Sequence, residues 1–113
     1  MKFTELGLNS ALLRAIEDEG YTEPTQIQAE AIPVVMAGRD VMAGAQTGTG
    51  KTAAFTLPLL QLLLIHANTS FSPARHPVRA LILVPTRELA VQVEESVRAY
   101  GRHVALRSTT VYG

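Results

Sequence analysis

The sequence predicts an α/β fold on a mainly parallel sheet, and three observations carry that reading. Apolar runs of strand length alternate with helical patterns along the chain. The run "RALILVP" (79–85) is continuously apolar, as expected of a strand covered on both faces. The chain has 113 residues, 47% of them hydrophobic, which suffices for one cored domain and is too short for two.

The first helix is expected over "SALLRAIEDE" (10–19). Asn9 or Ser10 can cap it, Leu12, Leu13 and Ile16 share one face, and Gly20 can end it. A second helix starts near Pro24 and Thr25 and ends at Gly38. Pro33 inside that span predicts a kink or a break into two short helices, because proline lacks the N–H that an inner helical turn uses. "DVMAGAQ" (40–46) reads as a short buried strand running into a glycine loop, with a helix opening around Gly50. That helix is apolar nearly all round through Leu64, which predicts burial on several sides. "HANTSFSPARHP" (66–77) gathers turn formers into a surface loop. After the strand "RALILVP", a helix follows over roughly Arg87 to Tyr100, and "VALRSTTVYG" (104–113) closes the chain as a third strand.

Composition narrows the function classes. Ten lysines and arginines balance ten acidic residues, so any nucleic-acid contact must come from a local patch. There is no cysteine, which removes disulfides, zinc–thiolate sites and thiol nucleophiles. The start "MKFTELGLNS" lacks the apolar core of a signal peptide, and the run "LPLLQLLLIHA" (57–67) is interrupted and well short of a membrane span. A soluble, cytoplasmic protein is expected. His66, His76 and His103 have no metal-ligand spacing, and Arg75, Arg79, Arg98 and Arg102 read as solvated charges.

The chemistry concentrates in "AQTGTGKT" (45–52). Gly48 and Gly50 let the backbone curl so that successive N–H groups converge on phosphate oxygens. The following helix points its positive end at the same anion. Lys51 can reach the outer phosphates, and the Thr52 hydroxyl can complete a magnesium shell. The strict pattern opens with glycine, whereas this chain has Ala45, with Gly44 one place early; alanine is small enough to serve. A glycine-rich turn capping a helix is the plainer alternative. The strand before and the helix after favour phosphate binding.

Two further stretches, "GYTEPTQIQ" (20–28) with Phe3 upstream and "PTRELA" (85–90), flank this loop in order. With these three motifs the chain resembles the start of a DEAD-box ATP-dependent RNA helicase over essentially its whole length. Through "LPLLQ" and "PVRALIL" it is similar to the bacterial E-type subgroup. The resemblance implies a P-loop, RecA-like domain, with the sheet incomplete within these residues. Residues 1–29 would form an adenine-recognition region, 40–66 the phosphate-loop strand and helix, and 79–113 an RNA-backbone strand, helix and following strand. It implies ATP and Mg²⁺ as cofactors, held by Phe3, Tyr21, Thr25, Gln28, Ala45, Gln46, Thr47, Gly48, Thr49, Gly50, Lys51 and Thr52, with Thr52 on the metal. Gln28 would read the adenine edge, Tyr21 would stack on the ring, and Thr25 would tie this segment to the phosphate loop. An amide offers donor and acceptor together, matching adenine and mismatching guanine. Thr25 and Gln28 also fit a capping box, and one side chain cannot easily serve both roles at once. RNA would be gripped through its backbone, without sequence preference, by Pro85, Thr86, Arg87 and Gly113. The alternative at this segment is a strand stop and a helix cap from Pro85 and Thr86.

The family's hydrolysis needs an Asp-Glu-Ala-Asp tetrad and arginines from a second domain, and these residues hold neither. The pair Asp18–Glu19 lies in the wrong place. The 113 residues are therefore expected to be inactive in hydrolysis by themselves, and to self-associate or exchange strands through unpaired sheet edges. The competing readings are a stand-alone nucleotide-binding or assembly module, and another P-loop ATPase such as a transporter or DNA-helicase subunit.

Overall fold

Short polar residues at three helix starts set the frame. In the computed structural model, which describes residues 1–45, 50–67 and 77–112, four helices follow a single turn of 3₁₀ helix at Phe3–Glu5. Helix α1 (Ser10–Asp18) is capped by the Asn9 side chain, which accepts from the Ala11 N–H at 2.8 Å. Helix α2 (Gln26–Met36) is capped by Thr25 and α4 (Arg87–Tyr100) by Thr86. Helix α3 (Lys51–Leu63) starts instead at Gly50, which sits at φ +82°, and runs into a second 3₁₀ turn at Leu64–His66.

Helix α2 corrects one expectation. It passes through Pro33 as one element, without a break into two. Ile32 is fully buried and Met36 packs against the same core, so apolar anchors on either side of the proline hold the helix together. Gly38, at φ +76°, then ends it as expected.

The core joins all four helices to the N-terminal segment. Phe3, Leu6 and Leu8 pack with Leu12 and Ile16 of α1, Ile32 of α2, Ala53, Leu57 and Leu60 of α3, and Tyr100 of α4. Burying a leucine fully is worth about 1.5–3 kcal/mol, so this cluster supplies most of the local drive to fold. Helix α3 lies against both α2 and α4, which buries Ala53, Ala54, Thr56, Leu57 and Pro58. Burial is not complete all round: Leu62 is exposed, and Ile65 beyond the helix is 85% exposed.

The three runs read as strands form no ladder; among the described residues there is no strand. Strand structure depends on a hydrogen-bonded neighbour, which apolar sequence alone does not provide. Two of the runs keep the side-chain alternation of a strand. Leu81 and Leu83 are exposed, while Ile82 and Val84 are half-buried. From Leu106 to Val111 the same alternation recurs, with Leu106 packed on the core. Leu81, Leu83 and Val111 are thus left uncovered, while Leu106 rests on the helical core.

The ends of α1 and α4 are tied by charge. His103 Nε2 lies 2.7 Å from Asp18 Oδ2, and Arg102 reaches Glu19 at 3.1 Å and Asp18 at 3.7 Å. Arg98 pairs with Glu94 at 2.6 Å. Arg98 keeps a 70% exposed side chain, as a solvated charge would, and adds an i,i+4 pair, whereas Arg102 and His103 join the contacts between the two helix ends.

Candidate functional site

The site is built around Gln28. Its Oε1 accepts from the Thr25 N–H at 3.0 Å, and the Thr25 hydroxyl accepts from the Gln28 N–H at 3.4 Å, so the capping box is formed. Gln28 Nε2 also donates to the Gly50 carbonyl at 3.1 Å. The amide is only 7% exposed, and it fastens the start of α2 to the start of α3. The sequence weighed capping against adenine reading for this side chain and expected Thr25 to make the tie to the loop; the tie to Gly50 comes from Gln28 instead. In the structure the amide caps and bridges together, because a glutamine amide carries two donors and two lone pairs.

Gly50 makes the close approach possible. A Cβ there would collide with Gln28 Nε2, and the left-handed backbone disfavours any side chain. Its carbonyl also accepts from the Ala54 N–H at 3.1 Å, opening α3. The first turn of α3 holds no acidic residue, Lys51 is exposed at its start, and Thr52 is half-buried. A helix start of this kind is a favourable environment for an anion. Buried Thr56 donates to the Thr52 carbonyl at 2.8 Å, which satisfies its hydroxyl within the helix. Ala45 is half-buried at the near side of the loop. Gln46, Thr47, Gly48 and Thr49 lie outside the described residues.

Phe3 is buried in the core, 5% exposed. Tyr21 is 55% exposed and lines a small pocket with Glu19 and with Gln92, Glu95 and Tyr100 of α4. Burial pushes the Tyr100 phenol up to about 12, and the neighbouring Tyr21 and Glu19 add to the shift. At the other end of the clasp, the hydrogen bond from His103 holds the Asp18 carboxyl below its ordinary value. No sequence signal pairs Asp18 with His103 or Tyr21 with Tyr100, since neither pair shares an element.

On the far side of α4, Pro85 and Thr86 end the apolar run. Thr86 Oγ1 accepts from the Leu89 N–H at 3.1 Å. The hydroxyl proton is still available to donate, so capping leaves Thr86 competent for an anionic ligand. Arg87 Cζ stands 5.6 Å from the centroid of the Tyr112 ring. Pro85, Thr86, Arg87 and Tyr112 share one cleft of about 1130 Å³. Gly113 lies outside the described residues. Among the described residues no three His, Cys, Asp or Glu side chains gather to hold a metal, and no helix is long and apolar enough to cross a membrane.

A helix-capping glutamine is thus bonded to the glycine that opens the next helix, with a threonine–arginine helix start further along the chain. The DEAD/DEAH box helicase family model matches residues 25–113, and the chain belongs to that family. It is 50% identical over 111 residues to the ATP-dependent RNA helicase SrmB of Escherichia coli, a match covering 98% of this chain and 24% of SrmB. It is 43% identical to the DEAD-box ATP-dependent RNA helicase RhpA of Helicobacter pylori, covering 98% and 21%. The chain thus spans about a fifth to a quarter of these curated relatives' length. Among solved structures, a DEAD box protein from Methanococcus jannaschii superposes with a TM-score of 0.74 at 39% identity, covering 88% of this chain and 25% of that one. Dbp5 of S. cerevisiae bound to RNA and ADP BeF3 gives 0.76 at 38% identity, covering 90% and 25%.

Proposed function

We propose that this chain is the opening part of the first RecA-like domain of an ATP-dependent RNA helicase. The observation that carries the reading is the Gln28 bridge from Thr25 to Gly50, which couples the adenine-recognition segment to the phosphate cradle. The residues present suit ATP with Mg²⁺. Lys51 supplies positive charge at an open helix start, and Thr52 brings a hydroxyl. Bound ATP with Mg²⁺ would supply the phosphoryl group whose hydrolysis drives the cycle. On the protein side, Gln28 and Tyr21 orient the base, Thr25 and Phe3 support that segment, and residues 45–52 hold the phosphates. Pro85, Thr86, Arg87 and Gly113 hold the RNA backbone. ATP-dependent unwinding or RNA–protein remodelling belongs to the whole helicase. These 113 residues contain no acidic tetrad and do not turn over ATP by themselves.

Titration of the full-length gene product with a fluorescent ADP analogue and Mg²⁺ tests the nucleotide reading. Saturable binding should vanish in Lys51→Ala and weaken in Gln28→Ala, with GDP competing poorly. Equal competition by GDP and ADP would sink the adenine assignment.

The isolated 113 residues are further proposed to self-associate through the uncovered faces of residues 78–84 and 106–111. Val78, Leu83 and Val111 are each at least 85% exposed, which supports this. Light scattering should give a mass above the 12.2 kDa monomer; a monomer at micromolar concentration would refute it.

A further inference from the structure

We infer that Arg102 and His103 are positioning residues for the segment 20–28, a role that rests on the adenine reading above. Helix α1 ends on Asp18 and Glu19, with no basic residue in its last turn. Acidic side chains at a helix C-terminus oppose the helix dipole, so α1 by itself gains nothing from them. The opposing charge comes from just beyond α4. Arg102 Nη2 stands 3.1 Å from Glu19 Oε2 and Nη1 3.7 Å from Asp18 Oδ2, and His103 Nε2 stands 2.7 Å from Asp18 Oδ2. Arg102 Nε donates to the Ala99 carbonyl at 2.6 Å, which anchors the guanidinium to the end of α4.

These contacts fix the entry to the segment that carries Tyr21, Thr25 and Gln28. The N–H of Gly20, a residue at φ +81°, donates to the Glu17 carbonyl at 2.9 Å, and the Tyr21 N–H donates to the Ile16 carbonyl at 3.2 Å. This paired closure past a left-handed glycine locks Tyr21 to the end of α1. Tyr21 then lines a pocket with Glu19 and with Tyr100 of α4. At its other end the segment is fastened by Gln28, which donates to the Gly50 carbonyl at 3.1 Å. The segment is thus held at two points, to α4 by the charged contacts and to α3 by Gln28. With the charged contacts removed, one point is left, and Tyr21 and Gln28 lose their fixed relation to a bound base. Lys51 and Thr52 lie on α3, so the phosphate end does not hang on these contacts. The loss therefore falls on the choice of base more than on the grip on phosphate.

The test uses the full-length gene product with a fluorescent ADP analogue and Mg²⁺, displaced by ADP or by GDP. The ratio of the two competing affinities is the readout, and thermal unfolding of each variant is the folding control. R102Q, H103A and E19R should each narrow the preference for ADP about two- to fivefold, the range of one partly exposed ion pair. R102K keeps the charge and should stay nearer the wild-type ratio than R102Q. E19R combined with R102E rebuilds the pair in reverse and should recover a ratio above that of E19R alone. An unchanged ratio in R102Q, H103A and E19R overturns the role, even where their melting temperatures fall, because purely structural contacts weaken both nucleotides alike. A double variant no better than E19R also overturns it. If ADP and GDP compete equally in the wild type, the adenine reading itself fails and this role falls with it.

Discussion

The Gly50 position joins a backbone requirement to a side-chain contact between two helix starts. Its left-handed φ costs a residue with a side chain about 1–2 kcal/mol, and a Cβ would also strike the Gln28 amide. Gly50→Ala should therefore lower the melting temperature and weaken nucleotide binding together. In Gly50→Ala/Gln28→Ala the clash is absent, so the combined stability loss should be smaller than the sum of the single losses. Additive losses would mean the two residues do not meet. Tyr100 carries a second residue-level expectation. Its folded pKa of about 12 lies above the ordinary 10.0, so the stability it contributes is fully present below pH 10 and is lost as pH rises toward 12. Tyr100→Phe should flatten the alkaline limb of the stability curve, read by thermal unfolding between pH 9 and about 12. An unchanged limb would remove Tyr100 as its cause.

At the scale of elements, the helices are legible in the sequence, while the runs read as strands carry no ladder among the described residues. The signals for Asn9, Thr25, Thr86 and Gly38 are local, and each stands at the helix boundary its chemistry predicts. Gln28 was legible as a cap, while its bond to Gly50 crosses twenty-two residues and has no local signature. Of the kink or break expected at Pro33, the break is absent, because fully buried Ile32 and partly buried Met36 anchor both sides of the proline. Within the apolar runs, residues 81–84 and 106–111 keep an alternation of faces, yet a ladder needs a neighbour that apolar character does not specify. Helix caps and buried leucines also set the energetic expectations here. Thr86→Ala should cost about 1 kcal/mol through the lost cap. Leu57→Ala, at a fully buried site between α2 and α4, should cost about 2–5 kcal/mol. Denaturant unfolding of the full-length product would rank them, and a Thr86 loss exceeding that of Leu57 would contradict this account of the core.

At the scale of the molecule, the radius of gyration of 13.9 Å is close to the ~13 Å of a compact chain near this length, and the four helices share one core. The Asp18–His103 clasp closes that assembly. Asp18 titrates below its ordinary value of 3.8 in the fold, so its contribution is present above that pH and is lost as pH falls through the folded value. Asp18→Asn should lose stability at neutral pH and show a shallower acid limb; an acid limb identical to wild type would exclude this carboxylate.

Viewed mechanically, the clasp turns residues 18–103 into a closed loop held by a side-chain contact across 85 positions. The Gln28 amide, Gly50 and Thr86 all lie on that loop, while the chain ends lie outside it. A load applied at residues 1 and 112 therefore strains the clasp and the core around it first, and the segments carrying Gln28, Gly50 and Thr86 stay slack until those contacts yield.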